Sequence, residues 1–125
     1  GAANFGTRFM ATPEAGIADS YKQAVLAAGI ADTRTVGRGM GMIRAIANPF
    51  TDRMERLERA AAPEADRRAA FAAATLKMAA LDGDIAGGKL EAGQSAGLVD
   101  HLLPAAEIVR EIARDYLAVV NGLPR

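Results

Sequence analysis

The chain has 125 residues, half of them apolar, and its 15 basic and 15 acidic residues cancel to a net charge of zero at neutral pH. That balance excludes the broad positive surface that nucleic acid or an anionic membrane selects, and the lack of cysteine excludes a disulfide framework, a thiol nucleophile and a thiolate metal centre. No apolar run is long enough for a membrane span, and the start lacks the charged-then-apolar layout of a signal peptide, so a soluble, cytoplasmic protein is expected.

The first residues form a short apolar run, read as a strand, that reaches Gly6-Thr7. Gly6 lets a ligand approach the backbone closely, and the N–H groups that follow present partial positive charge to an anion. The same residues also describe a plain strand-end turn with no ligand. Thr12-Pro13-Glu14 predicts a helix start, with a capping hydroxyl, proline at the first position and an acid near the positive helix end. That helix is expected to run to Gly29, with Ile17, Tyr21, Ala24, Val25 and Ala28 inward and Asp19, Lys22 and Gln23 toward water.

Residues 33–36 read as a short extended segment. Gly37, Gly39 and Gly41 follow at alternate positions that match neither standard phosphate-loop spacing, so a loop packing Met40, Met42 and Ile43 is preferred to a second anion site. Residues 42–47 are expected to make a helical turn or two that Asn48-Pro49 stops, with Thr51 capping the next helix and Asp52 in its first turn. An alanine-rich helix is predicted over 63–81, with Phe71, Leu76, Met78 and Leu81 as its large apolar side chains and Gly83 ending it. Asp82, Asp84, Gly87 and Gly88 invite a calcium-loop reading, but the terminal glutamate of that pattern is missing and a plain loop is expected. After Ala92 comes a brief helix, then a long one over 104–121 stopped by Gly122. Ala105, Ile108, Val109, Ile112, Tyr116 and Val119 give it an apolar stripe, with Glu107/Arg110 and Glu111/Arg114 spaced to pair on its other face.

No nucleophile, base and orienting group are visible as a set. The single histidine, His101, lies in a polar step before the last helix and reads as a surface residue, not a base.

Gly6-Thr-Arg-Phe-Met-Ala-Thr12, Ala92-Gly-Gln-Ser-Ala-Gly-Leu-Val-Asp100 and Leu103-Pro-Ala-Ala-Glu-Ile-Val109 together resemble the C-terminal part of the nitronate monooxygenase (2-nitropropane dioxygenase-like) family. Tyr21-Lys22, Asp32-Thr33 and the stretch from Gly37-Arg38 to Arg44 extend the likeness over nearly the whole chain. The resemblance implies a flavin mononucleotide (FMN) enzyme on a (β/α)8 TIM barrel. Because such a barrel needs about 200 to 250 residues, this chain is expected to be its C-terminal portion, α/β by class but itself mostly α-helical with one or two short strands. Residues 1–29 would carry the last barrel strand, phosphate turn and helix, 30–91 a helical insertion with loops, and 92–125 the C-terminal helices. Much of the apolar surface is then expected to pack on upstream barrel elements.

The resemblance further implies that Asn4, Phe5, Gly6 and Thr7 lie against the flavin phosphate, through the backbone N–H groups of Gly6 and Thr7 with the Thr7 hydroxyl as one more donor. Arg8 has two partners open to it, that phosphate or the Glu14 carboxylate. Gln94 and Ser95 read either as a plain helix start or as an amide and a hydroxyl at the mouth of the flavin pocket that orient a small polar substrate. The family's catalytic histidine comes from an upstream strand, so this chain alone is expected to be inactive, with FMN, a small-molecule substrate and the upstream barrel as its partners. The implied reaction is oxidation of a nitronate with dioxygen to a carbonyl compound and nitrite. A flavin-dependent enoyl-thioester reductase and a non-catalytic helical interaction module are the alternatives.

Overall fold

The computed structural model describes residues 2–124. Gly1, in the predicted opening strand, and Arg125, at the end of the predicted C-terminal segment, lie outside the described residues. Residues 2–6 carry no strand pairing with any described residue, and the chain enters a single helical turn, α1 (Thr7–Met10).

Helix α2 (Asp19–Ala27) begins six residues later than the Thr12 cap predicts. The Thr12 hydroxyl accepts from the Ala15 N–H at 3.1 Å and donates to the Phe9 carbonyl at 2.9 Å, which closes a turn instead of opening a helix. The true start is tertiary: the Ala18 N–H donates to the Ala80 carbonyl at 2.7 Å and the Ser20 hydroxyl to the Gly83 carbonyl at 3.1 Å. Tyr21 and Val25 face inward as expected, but Lys22, expected toward water, is buried.

Strands β1 (Thr33–Val36) and β2 (Ile43–Ile46) form an antiparallel hairpin with Val36 opposite Ile43 and Thr33 opposite Ile46. The sequence predicts helix for residues 42–47; the four-residue strand wins because it finds a ladder partner while Ile46 enters one core and Ile43 packs on the other, a gain no short helix offers. Gly37, Gly39 and Gly41 adopt φ of 84°, 78° and 102°, which a side chain rarely tolerates, and they shape the connecting loop. At Gly37 a Cβ would also run into the Phe71 ring.

Asn48-Pro49 opens a helix instead of stopping one. Asn48 caps α3 (Pro49–Arg59), its side chain accepting from the Thr51 N–H at 3.0 Å while the Thr51 hydroxyl accepts from the Asn48 N–H at 2.9 Å. Thr51, expected to be the cap, is the reciprocal partner three residues in. The Asn48 amide also donates to the Ile85 and Gly88 carbonyls, both at 2.9 Å, and so ties the helix start to the 85–88 loop.

The long alanine-rich helix is two helices, α4 (Glu64–Ala73) and α5 (Leu76–Ala80). Ala74 and Thr75 are extended between them; the Thr75 hydroxyl caps α5 by accepting from the Met78 N–H at 3.2 Å, and its carbonyl accepts from the Lys89 N–H at 3.0 Å. The 82–88 segment is a loop as expected, with the Asp84 carboxylate accepting from the Gly87 N–H at 2.8 Å.

Two cores result. Ala11, Tyr21, Val25, Ile46, Ala79, Leu90 and Ala96 form the first, and Val36, Phe50, Met54, Ala70 and Ala74 the second, with the hairpin between them. Residues 90–92 lie along β2: the Ile46 N–H donates to the Leu90 carbonyl at 2.9 Å, the Ala92 N–H donates to the Arg44 carbonyl at 3.2 Å, and Ala45 bridges to Glu91. A 3₁₀ turn (Gln94–Leu98) follows, and Gly97 lets it press on the Gly29-Ile30 backbone, where a Cβ would overlap.

Helix α6 (Ala105–Gly122) has the predicted length, but of its apolar stripe only Ile108 is buried; Val109, Tyr116 and Val119 are exposed. The expected Glu107/Arg110 and Glu111/Arg114 pairs are not formed among the described residues, and Arg114 pairs with Asp115 at 3.1 Å. No described helix is long and apolar enough to cross a membrane.

Asn48→Ala removes a cap worth about 1 kcal/mol and strands two carbonyls at a cost of roughly 1–3 kcal/mol, so a loss of about 3 kcal/mol is expected in chemical denaturation. Thr51→Val removes only the reciprocal hydroxyl and should cost about 1 kcal/mol. Equal losses for the two variants would mean that the tether to the 85–88 loop contributes nothing.

Candidate functional site

Residues 90–92, held along β2, deliver Gly93 to a fixed position, and its N–H donates to the Thr7 hydroxyl at 2.9 Å. This hydrogen bond joins the two segments that the sequence marks as functional, 86 residues apart. The phenol of Tyr21 donates to the Glu91 carbonyl at 2.5 Å and braces the same strand from below; burial, and secondly the Glu91 charge, push that phenol well above its usual range, so it stays protonated as a donor. Thr7 itself is buried, at 8% exposure. Its hydroxyl oxygen is engaged by Gly93, which leaves its proton to donate elsewhere.

A groove of about 830 Å3 opens beside this bond. Asn4, Phe5, Gly6, Thr7 and Arg8 form one wall, Gly93 and Ser95 the floor, and Ile108, Glu111, Ile112 and Asp115 of α6 the far wall. A carboxylate positions that far wall: Glu14 accepts from the Ala105 N–H at 3.1 Å, at the first residue of α6. Arg8 makes no pair with Glu14; its guanidinium donates to the Ala11 carbonyl at 3.4 Å and lines the groove.

The donors here suit a phosphate monoester. In the single turn of α1 the Phe9 N–H already donates to the Gly6 carbonyl at 3.0 Å, so the donors that α1 offers on this wall are the N–H groups of Thr7 and Arg8, which precede that first bond, the free proton of Thr7 and the Arg8 guanidinium. A Cβ built on Gly6 meets no protein atom within 4 Å, so the space beside that backbone is open. Glu111 and Asp115 also line the groove, and their charge disfavours an anion held beside them.

Of the other sequence candidates, Ser95 lines the groove and Gln94, exposed at the start of the 3₁₀ turn, does not. His101 is half exposed, its Nδ1 against the neighbouring Asp100 carboxylate, and neither residue lines the groove. The His101 contact first, and the Arg8 charge least, hold the Asp100 carboxyl below its usual range. Arg44 was given no role by sequence. It lines a second hollow of about 380 Å3 that also touches Thr7 and Gly93, together with Glu91 and Met10. Reading residues 42–47 as helix hid it, because only the strand register brings position 44 beside Ala92 and hence Gly93.

The sequence profile of the nitronate monooxygenase family matches residues 1–115. Among solved structures the chain is similar to FabK from Thermotoga maritima, at 29% identity and a TM-score of 0.81 over 93% of this chain and 37% of that one. A point mutant of the same FabK gives 27% identity and a TM-score of 0.72 over 93% of this chain and 33% of that one. No curated protein sequence gives a significant match. The chain thus spans little more than a third of the structures it matches, and its fold is a portion of a TIM-barrel enzyme architecture, mostly helical with a two-stranded sheet. With a profile match over nearly its whole length, the chain belongs to the nitronate monooxygenase family.

Proposed function

We propose that this chain is the C-terminal part of an FMN-dependent oxidoreductase of nitronate monooxygenase type, and that it contributes the phosphate end of the flavin site. The observation that carries the reading is the hydrogen bond from Gly93 to the Thr7 hydroxyl, which sets the Gly6-Thr7 turn and the Gly93-Ser95 segment against one groove. The N–H groups of Gly6 and Thr7, the Thr7 hydroxyl proton and the Arg8 guanidinium hold the phosphate dianion, each charge-assisted hydrogen bond contributing roughly 1.5–3 kcal/mol. Asn4 and Phe5 flank it, and the Ser95 hydroxyl orients a small polar substrate, with Gln94 nearer the rim. Bound there, the flavin would supply the redox chemistry by which a nitronate is oxidised with dioxygen to a carbonyl compound and nitrite. The base for that reaction lies outside this chain, and His101 takes no part in it.

The likeness to FabK favours one alternative on the same scaffold, a flavin-dependent enoyl-thioester reductase. Turnover of a nitronate in air, set against oxidation of a reduced nicotinamide with an enoyl thioester, separates the two.

Since a side chain at Gly6 meets no protein atom, Gly6→Val tests the ligand and not the fold. In the full-length polypeptide containing this chain, the variant should lose about tenfold or more in FMN affinity, the equivalent of one phosphate hydrogen bond, with unchanged far-ultraviolet circular dichroism. Full flavin content with normal affinity would place the phosphate elsewhere. His101→Ala should leave turnover within about threefold of wild type, whereas loss of a true general base costs about 10²-fold or more.

A further inference from the structure

A cavity of about 520 Å3 lies between β1 and helices α3 and α4, and it shares no lining residue with the Gly6-Thr7 groove. Its walls carry four arginines, Arg34, Arg38, Arg59 and Arg67, against two carboxylates, Glu55 and Glu58. In a chain of zero net charge this is a local excess of two positive charges, the difference between those four and those two.

Both carboxylates are already engaged. Glu58, its side chain only 9% exposed, accepts from the Gly37 N–H at 2.7 Å and from the Arg38 guanidinium at 2.9 Å. Glu55 stands 3.3 Å from Arg59 and 3.8 Å from Arg34. The guanidinium groups are anchored without being exhausted. Arg34 donates through Nη1 to the Ala31 carbonyl at 2.7 Å, and Arg67 through Nε to the Ala62 carbonyl at 3.0 Å. Each guanidinium has five N–H donors: Arg34, whose Nη1 also reaches the Thr33 carbonyl at 3.2 Å, keeps Nη2 free, Arg67 keeps both Nη groups, and Arg38 and Arg59, held only by their glutamates, are exposed enough to turn donors toward an anion.

We propose that this cavity binds a small molecule through a diphosphate group. A single carboxylate would leave half the excess charge unmatched, whereas a diphosphate carries enough charge and enough oxygens for several bidentate arginine contacts. The volume falls within the range of small-molecule sites and leaves room for an organic group beyond the phosphates. A nucleoside diphosphate moiety and inorganic pyrophosphate present the same chemistry to the arginines.

Calorimetric titration of the full-length polypeptide containing this chain with pyrophosphate at 0.15 M salt tests the proposal. Saturable binding is expected, weakened about tenfold or more in Arg38→Gln/Arg59→Gln. Those side chains are 67% and 79% exposed, so the fold should persist, as circular dichroism will check. Arg110→Gln, on α6 and outside the cavity, should change the affinity less than about twofold. If ADP binds about tenfold tighter than pyrophosphate, the organic group contributes and the ligand is a nucleotide; equal affinities assign the site to the diphosphate alone. No binding, equal weakening by Arg110→Gln, or loss only on Arg8→Gln, which would move the anion to the other groove, overturns the proposal.

Discussion

The placement of residues 90–92 along β2 is the constraint on which the rest depends. Two backbone hydrogen bonds, Ile46 to Leu90 and Ala92 to Arg44, fix this short extended segment, and from it Gly93 reaches the Thr7 hydroxyl. Each bond is worth only about 1 kcal/mol net, but together they act in series. Slippage of the segment by one residue would turn Glu91 and Ala92 to opposite faces and carry Gly93 away from Thr7. The Tyr21 phenol, held protonated by burial, guards against that slip by donating to the Glu91 carbonyl.

The same logic explains why the hairpin exists at all in a mostly helical chain. It stands between two cores, giving Ile46 to one and Val36 to the other, and each core is built from small residues around a few large ones: Tyr21 in the first, Phe50 and Met54 in the second. Alanines at the contacts let helices and strands approach closely, which makes the structure depend on placed polar anchors such as Asn48 and Thr75 as much as on apolar area. Helix α6 is the exception. It is docked by Ile108 and by the Glu14 carboxylate at its first turn, while Val109, Tyr116 and Val119 of its apolar stripe face outward.

Much of this was legible in the sequence where the signal is local. The extended Thr33–Val36 segment, the glycine loop after it and the span of α6 all follow from residue type and spacing. What was missed depends on distant partners. Residues 42–47 suit a helical turn until β1 is there to pair with them. Thr12 and Asn48 carry the right capping chemistry, but whether such a residue closes a turn or opens a helix is decided by what accepts or donates to the next few N–H groups. The break at Thr75 is set by a bond to Lys89, fourteen residues on. At the groove, Gly6 and Thr7 are marked by the chemistry of a Gly-Thr step and, with Ser95, by resemblance to a family and not by periodicity, and Arg44 is invisible without the strand register.

The central claim is that the Gly6-Thr7 turn, held by Gly93, receives the phosphate of the flavin. Amide chemical shifts of the full-length polypeptide, recorded with FMN and with riboflavin, test it most directly, because the two ligands differ only in the phosphate. The account predicts that the amide signals of Gly6, Thr7 and Arg8 differ between the two complexes more than any others in this chain. Differences centred on other residues, with these three amides the same in both complexes, would contradict it.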